Sequence, residues 1–304
     1  MKIFCQTKSL ALLLVFPAIL LIQARPKFNP APYYAPEKSI YIQGINLVYL
    51  EQGAGTPVLL IHGYCGNAYN WSDVFEELSK NFRVIAPDLP GFGKSGCPEK
   101  KTKPTMIWYA DFLAEFLSQI GVEKAVVVGN SMGGSIATWL AIRHPERVDK
   151  LVLVDSAGLK GGPMDLMKGF AEITAAKMII PLIHLIFPVN EKSLANVPPS
   201  ERKRVELAEQ RYGSDLRDCS SKVMKWSAVS IGADYTEQEL QKIQTPTLII
   251  WGSNDDLLNV KYAEKFQQKI PGSQLAIIEG GVHTPMQWKP EEFVKVLKGF
   301  IEKD

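Results

Sequence analysis

Short apolar runs alternate along this chain with longer segments in which apolar residues recur every three or four positions. The runs Val58–Ile61, Arg83–Ala86, Ala125–Val128, Leu151–Val154, Thr247–Trp251 and Leu275–Ile278 are bounded by Gly, Pro, Asn or Asp and have the length of strands. Apolar except for Arg83 and Thr247 at the start of two of them, they predict strands buried on both faces. Ile40–Gln43 and Leu47–Glu51 are short, mostly apolar segments that predict a hairpin in front of them. Helical periodicity marks Trp71–Lys80, Met106–Ile120, Met132–His144 and Val260–Lys269, and Glu291–Ile301 closes the chain. Strands and amphipathic helices in this alternation predict an α/β fold with a mostly parallel, doubly wound sheet. Its site belongs at the carboxyl ends of the strands.

Two stretches stand outside the alternation. From Gly158 to about Gln244 the connection is far longer than the few residues usual between such elements, and residues 158–244 are expected to form a helical cap. Its apolar run Met178–Pro188 either packs the cap onto the core or lines an acyl pocket or lipid contact. At the N-terminus, Lys2 and Lys8 precede an apolar run from Leu10 to Ile22. As helix this run spans about 20 Å, against roughly 30 Å of hydrocarbon, so residues 1–24 read as an export signal, either cleaved near Ala24 or kept as an anchor. Residues 25–38 read as a proline-rich spacer and 39–304 as the folded domain.

The chemistry centres on Gly129-Asn130-Ser131-Met132-Gly133, placed between a strand and a helix. A serine hydroxyl is a weak nucleophile until it is held clear of its neighbours beside a base and oxyanion donors, and a tight strand-to-helix turn does this. Small residues on either side permit the turn. Asp255 and Asp256 then follow one strand, and His283, after Gly280-Gly281, follows the next. The order is serine, acid, histidine.

With His62-Gly63, Asp88-Leu89-Pro90-Gly91-Phe92-Gly93-Lys94-Ser95, Gly129 to Gly134, Trp251-Gly252 with Asp255, and Gly281 with His283, the chain resembles the α/β-hydrolase superfamily from about Ser39 to its end. The resemblance implies an α/β-hydrolase fold, Ser131 as nucleophile, His283 as base and Asp255 as its orienting acid. Asp256 and Asp155 are the alternative acids. Backbone N–H groups of Met132 and of the Tyr64-Cys65-Gly66 loop, Tyr64 first, are expected to form the oxyanion hole. His62, His144 and His184 are expected to be structural, as is the glycine turn within Asp88–Ser95. The activity implied is hydrolysis of a carboxylic ester, a lipid-like one among the options, with a carbon–carbon bond hydrolase of ring-fission products or a non-catalytic hydrolase-like binding protein as alternatives.

Charge and cysteine content narrow the classes. With 34 basic and 32 acidic residues the net charge is +2, no basic field is offered to nucleic acid, and a small-molecule ester is the expected partner. The cysteines and histidines are scattered without metal-ligand spacing, and neither a metal nor a cofactor is implied. An exported protein meets an oxidising compartment. Free thiols are expected, with a Cys65–Cys97 bridge as the alternative.

Overall fold

The computed structural model describes residues 35–159, 223, 226, 227, 230, 231 and 237–303. The segment 1–24, most of the spacer and nearly all of the cap, including Met178–Pro188 and His184, lie outside these residues.

Eight strands form one sheet: β1 (Glu37–Ile42), β2 (Ile45–Gln52), β3 (Pro57–Ile61), β4 (Arg83–Pro87), β5 (Ala125–Asn130), β6 (Val148–Val154), β7 (Thr247–Gly252) and β8 (Gln274–Ile278). Their order is β1-β2-β4-β3-β5-β6-β7-β8. From β4 through β8 every pairing is parallel, whereas β1 and β2 pair antiparallel with each other and β2 with β4. The hairpin turns at Gln43 and Gly44, with φ of 50° and 76°, the left-handed pair that matches the twist of two antiparallel strands.

β1 begins at Glu37, three residues ahead of the expected strand Ile40–Gln43. Glu37, Lys38 and Ser39 are exposed, so no periodicity announces them; ion pairs of Lys38 with Glu51 and of Lys94 with Glu37 line this edge. The chain is already anchored before the strand, since Ala35 is buried and Pro36 O accepts from Glu51 N–H.

Helices with both ends among the described residues are α1 (Ser72–Ser79), α2 (Met106–Gln119), α3 (Met132–Arg143), α4 (Glu237–Leu240), α5 (Lys261–Lys269), α6 (Pro285–Trp288) and α7 (Pro290–Ile301). The first predicted helix divides in two. A 3-10 turn, Ala68–Trp71, held by a reciprocal cap between Asn67 and Asn70, precedes α1.

Alternate strand residues feed two separate cores. Leu59 and Ile61 of β3 and Val127 of β5 join α2, α3 and α5 on one face. Val58, Leu60, Val126 and Val128 join α1 and α7 on the other. Each fully buried aliphatic side chain contributes about 1.5–3 kcal/mol relative to exposure, which fixes the register and brings the carboxyl ends of β3, β5, β6, β7 and β8 to one edge. Among the described residues no helix is long and apolar enough to cross a membrane.

Candidate active site

Ser131 lies between β5 and α3 with φ 54° and ψ −116°, a conformation that costs an L-residue of order 1–3 kcal/mol. Hydrogen bonds hold it there: Ser131 N–H donates to Val154 O, and Ser131 O accepts from Gly134 and Ala157, all at 3.0 Å. The close approach of strand and helix depends on glycine. A Cβ at Gly129 would stand 2.1 Å from Gly133 O, and one at Gly133 would stand 2.2 Å from Ile61 O. The first turn of α3 therefore sits directly on the end of β3.

That contact puts the two expected oxyanion donors on adjoining backbone. Met132 is the first residue of α3, where N–H groups have no partner within the helix and the dipole is positive. Tyr64 follows Gly63, where a Cβ would lie 3.3 Å from Ser131 Cβ. Cys65, next in this loop, has φ 57°. The loop is fixed from below by His62, whose Nδ1 donates to Gly63 O at 2.8 Å and whose Nε2 accepts from Leu89 N–H at 3.0 Å. Burial pulls the His62 pKa down to about 4, so the ring is neutral and structural, as expected.

Asp255 stands in the loop after β7 with its side chain fully buried. Oδ1 accepts from Leu257 and Leu258 N–H, both at 2.8 Å, and Oδ2 accepts from Nδ1 of His283 at 2.8 Å. A carboxylate oxygen accepts, so Nδ1 is the donor in this contact, and Nε2 is the ring nitrogen left for proton transfer, the arrangement a general base needs. Asp256 is exposed, so the structure brings Asp255 and not its neighbour to His283.

The loops carrying Asp255 and His283 touch backbone to backbone. A Cβ at Gly252 would lie 2.5 Å from the carbonyl carbon of Gly281, and Asn254 N–H donates to Gly281 O at 2.8 Å. Asn130 ties this pair to the serine: its Nδ2 donates to His283 O at 3.0 Å and to Val154 O at 3.2 Å. Nothing in the residue pattern separated Asn130 from a small filler in the turn. Only the fold reveals it as the brace joining β5, β6 and the histidine loop.

This architecture matches known proteins. A family model described as the alpha/beta hydrolase fold matches residues 56–187. The chain is 30% identical to the 2-hydroxy-6-oxo-6-(2'-aminophenyl)hexa-2,4-dienoic acid hydrolase of Metapseudomonas resinovorans over 274 residues, covering 88% of this chain and 91% of that protein. The chain belongs to the α/β-hydrolase family. Among solved structures this α/β hydrolase is similar to a membrane phospholipase A described as a bacterial virulence factor, with 28% identity and a TM-score of 0.71, covering 97% of this chain and 94% of that one. It is also similar to a thermophilic esterase from Thermogutta terrifontis, with 28% identity and a TM-score of 0.69, covering 88% and 98%.

Other polar residues have structural partners. The Asp88–Ser95 turn is structural: Asp88 Oδ1 and Oδ2 accept from Ala68 and Lys94 N–H, both at 2.7 Å, and Ser95 Oγ donates to Asp88 O. His144 ends α3 and faces Asp111 at 2.8 Å on the surface. The cysteine expectations need correction. Cys65 is a free thiol, but Cys97 is disulfide-bonded, and its partner lies outside the described residues. Cys97 is thus not free, and it is not bridged to Cys65. Pairing requires Cα atoms within about 7 Å, a condition that spacing along the chain does not reveal.

Proposed function

We propose that this α/β hydrolase cleaves a carboxylic ester through an acyl-enzyme formed on Ser131. The observation that carries the reading is the pairing of a serine on a strained strand-to-helix turn with a histidine held at 2.8 Å by a buried carboxylate. Ser131 Oγ attacks the acyl carbon as its proton passes to Nε2 of His283, and the imidazolium then protonates the departing alkoxide. Water, deprotonated by the same nitrogen, attacks the acyl-enzyme and releases the acid. Asp255 fixes the tautomer and stabilises the imidazolium, while Met132 and Tyr64 N–H receive the oxyanion.

A lipid-like ester is the substrate class we favour. The membrane phospholipase A supports it at 28% identity, and its 97% coverage takes in part of the segment ahead of β1, which the esterase's 88% need not do. Export or membrane anchoring through residues 1–24 belongs to the same proposal: fractionation should find the native chain in a membrane, or free and shortened near Ala24. Full-length protein in the soluble cytoplasm would refute this part.

A second reading, hydrolysis of a carbon–carbon bond in a ring-fission product, draws on the dienoic acid hydrolase and on 44% identity over 134 residues to a 2-hydroxymuconate semialdehyde hydrolase from Pseudomonas. A series of p-nitrophenyl esters of rising acyl length, run beside a ring-fission dienoate, separates the two. We expect kcat/KM at least about tenfold higher for the best ester. A preference of that size for the dienoate would select the second reading.

A further inference from the structure

Asp155, at the end of β6, is a second carboxyl group behind the histidine, and the ester reaction as written gives it no task. It is 0% exposed and has φ 43°. One oxygen, Oδ1, accepts from Gly252 N–H at 3.0 Å. The other, Oδ2, is buried with no hydrogen-bond donor beside it. Its side chain lies within hydrogen-bonding reach of Asp255, and one atom each from Asp155, Asp255 and His283 fall within 4.8 Å of one another.

Two ionised carboxylates so placed would repel without water to screen them, and an orphaned buried oxygen carries a desolvation cost of its own. A single proton removes both problems, because it turns an acceptor-only group into a donor. Asp255 has acceptor capacity to receive it: two oxygens offer about four lone-pair positions, and Leu257, Leu258 and His283 occupy three. His283 already spends Nδ1 on Asp255, so the trio is satisfied by a proton without calling on a cation.

We propose, on the reading of Ser131, His283 and Asp255 given above, that Asp155 is a positioning residue: it stays neutral and donates its proton to Asp255, fixing the carboxylate that orients His283 while leaving one negative charge behind the ring. Burial and the neighbouring Asp255 both push the Asp155 carboxyl well above the usual carboxylate range. The titratable groups facing it among the described residues are Asp255, from the loop after β7, and His283, from the loop after β8. The backbone supports the same placement, since Asp155 N–H donates to Ile250 O of β7 at 3.0 Å.

The test compares Asp155→Asn, a neutral group that keeps one donor and one acceptor, with Asp155→Ala, which keeps neither. The readout is the rate at which a fluorophosphonate labels Ser131 across pH, which requires no knowledge of the substrate. Asp155→Ala should slow labelling about ten- to a hundredfold, and Asp155→Asn should restore most of that loss. The pH of half-maximal labelling in Asp155→Asn should stay within roughly 0.3 unit of the wild type, because no charge has been removed. Had Asp155 been ionised, losing its charge a few ångströms from His283 would move that midpoint down by about one unit or more. Such a drop, or an Asp155→Ala protein as fast as wild type, overturns the proposal.

A measurement on the wild type guards against a variant that fails to fold. With labelled aspartate, the infrared spectrum of the intact protein at neutral pH should show a protonated carboxyl band that Asp155→Asn lacks, and its absence from the wild type also overturns the proposal. Failure of the underlying reading of Ser131, His283 and Asp255 looks different: the wild-type serine would then not be labelled at all.

Discussion

Replacing Asp255 by Asn changes one atom and should all but stop the reaction. Oδ1 of Asp255 is held at 2.8 Å by two backbone N–H groups, those of Leu257 and Leu258. The oxygen of an asparagine must take that position, because an NH2 group cannot accept from either. Its nitrogen then faces Nδ1 of His283, where the carboxylate Oδ2 now accepts at 2.8 Å. A donor there favours the tautomer with Nδ1 bare and the proton on Nε2, and that ring cannot take the proton of Ser131. Comparable exchanges in serine hydrolases cost roughly 10⁴ in kcat, equivalent to about 5.5 kcal/mol. KM should hold within about threefold, since nothing that binds substrate has moved. The assay is initial rates on one soluble ester for Asp255→Asn, Asp256→Asn and Asp155→Asn, with circular dichroism to establish folding. Asp256 is exposed, so its variant should stay close to wild type. An Asp255→Asn protein within tenfold of wild type, or a larger loss in either of the other two, would refute the assignment of the acid.

Three further outcomes follow from other contacts. Gly133→Ala should cost roughly 3 kcal/mol and most of the activity, because the added Cβ stands 2.2 Å from a backbone carbonyl that cannot rotate aside; urea unfolding with an ester assay checks both. Burial raises the Asp88 pKa to about 6 from 3.8, so between these values the native state holds a proton the unfolded chain releases, and stability falls as pH rises; His62, lowered to about 4 from 6.5, acts in the opposite sense. Asp88→Asn should therefore make the slope of unfolding free energy against pH more positive by up to about 1.4 kcal/mol per unit between pH 4 and 6, and denaturant titrations with an unaltered slope would contradict this. A protein truncated to begin at Pro32 should keep short-ester activity, whereas one beginning at Ser39 loses Ala35 and the first rungs of the β1–β2 ladder and should be about 2 kcal/mol less stable by thermal or urea unfolding.

What the sequence revealed and what it concealed divide along physical lines. Strands such as Val58–Ile61 and Ala125–Val128 were legible because they are buried on both faces, which leaves no polar position to blur the run. Ser131, Asp255 and His283 were legible because glycine and acidic residues at strand ends have few other reasons to occur in that order. The brace of Asn130 and the carboxyl pair of Asp155 with Asp255 were not, since a polar residue after a strand reads as an ordinary turn until the sheet sets β5, β6 and β7 side by side. Glu37–Ser39 escaped for the opposite reason: an edge strand in water needs no apolar alternation. The disulfide at Cys97 was hidden as well, because proximity in space is not written in spacing along the chain.

The central claim is that Ser131 is a nucleophile activated by the His283–Asp255 pair. The most direct measurement is intact-mass analysis of the full-length protein after treatment with a fluorophosphonate, followed by peptide mapping. The wild type should gain a single phosphonyl group on Ser131, and Ser131→Ala, folded by circular dichroism, should gain none and lose several orders of magnitude in ester turnover. Undiminished labelling of Ser131→Ala, or a folded wild type that takes up no label, would contradict it.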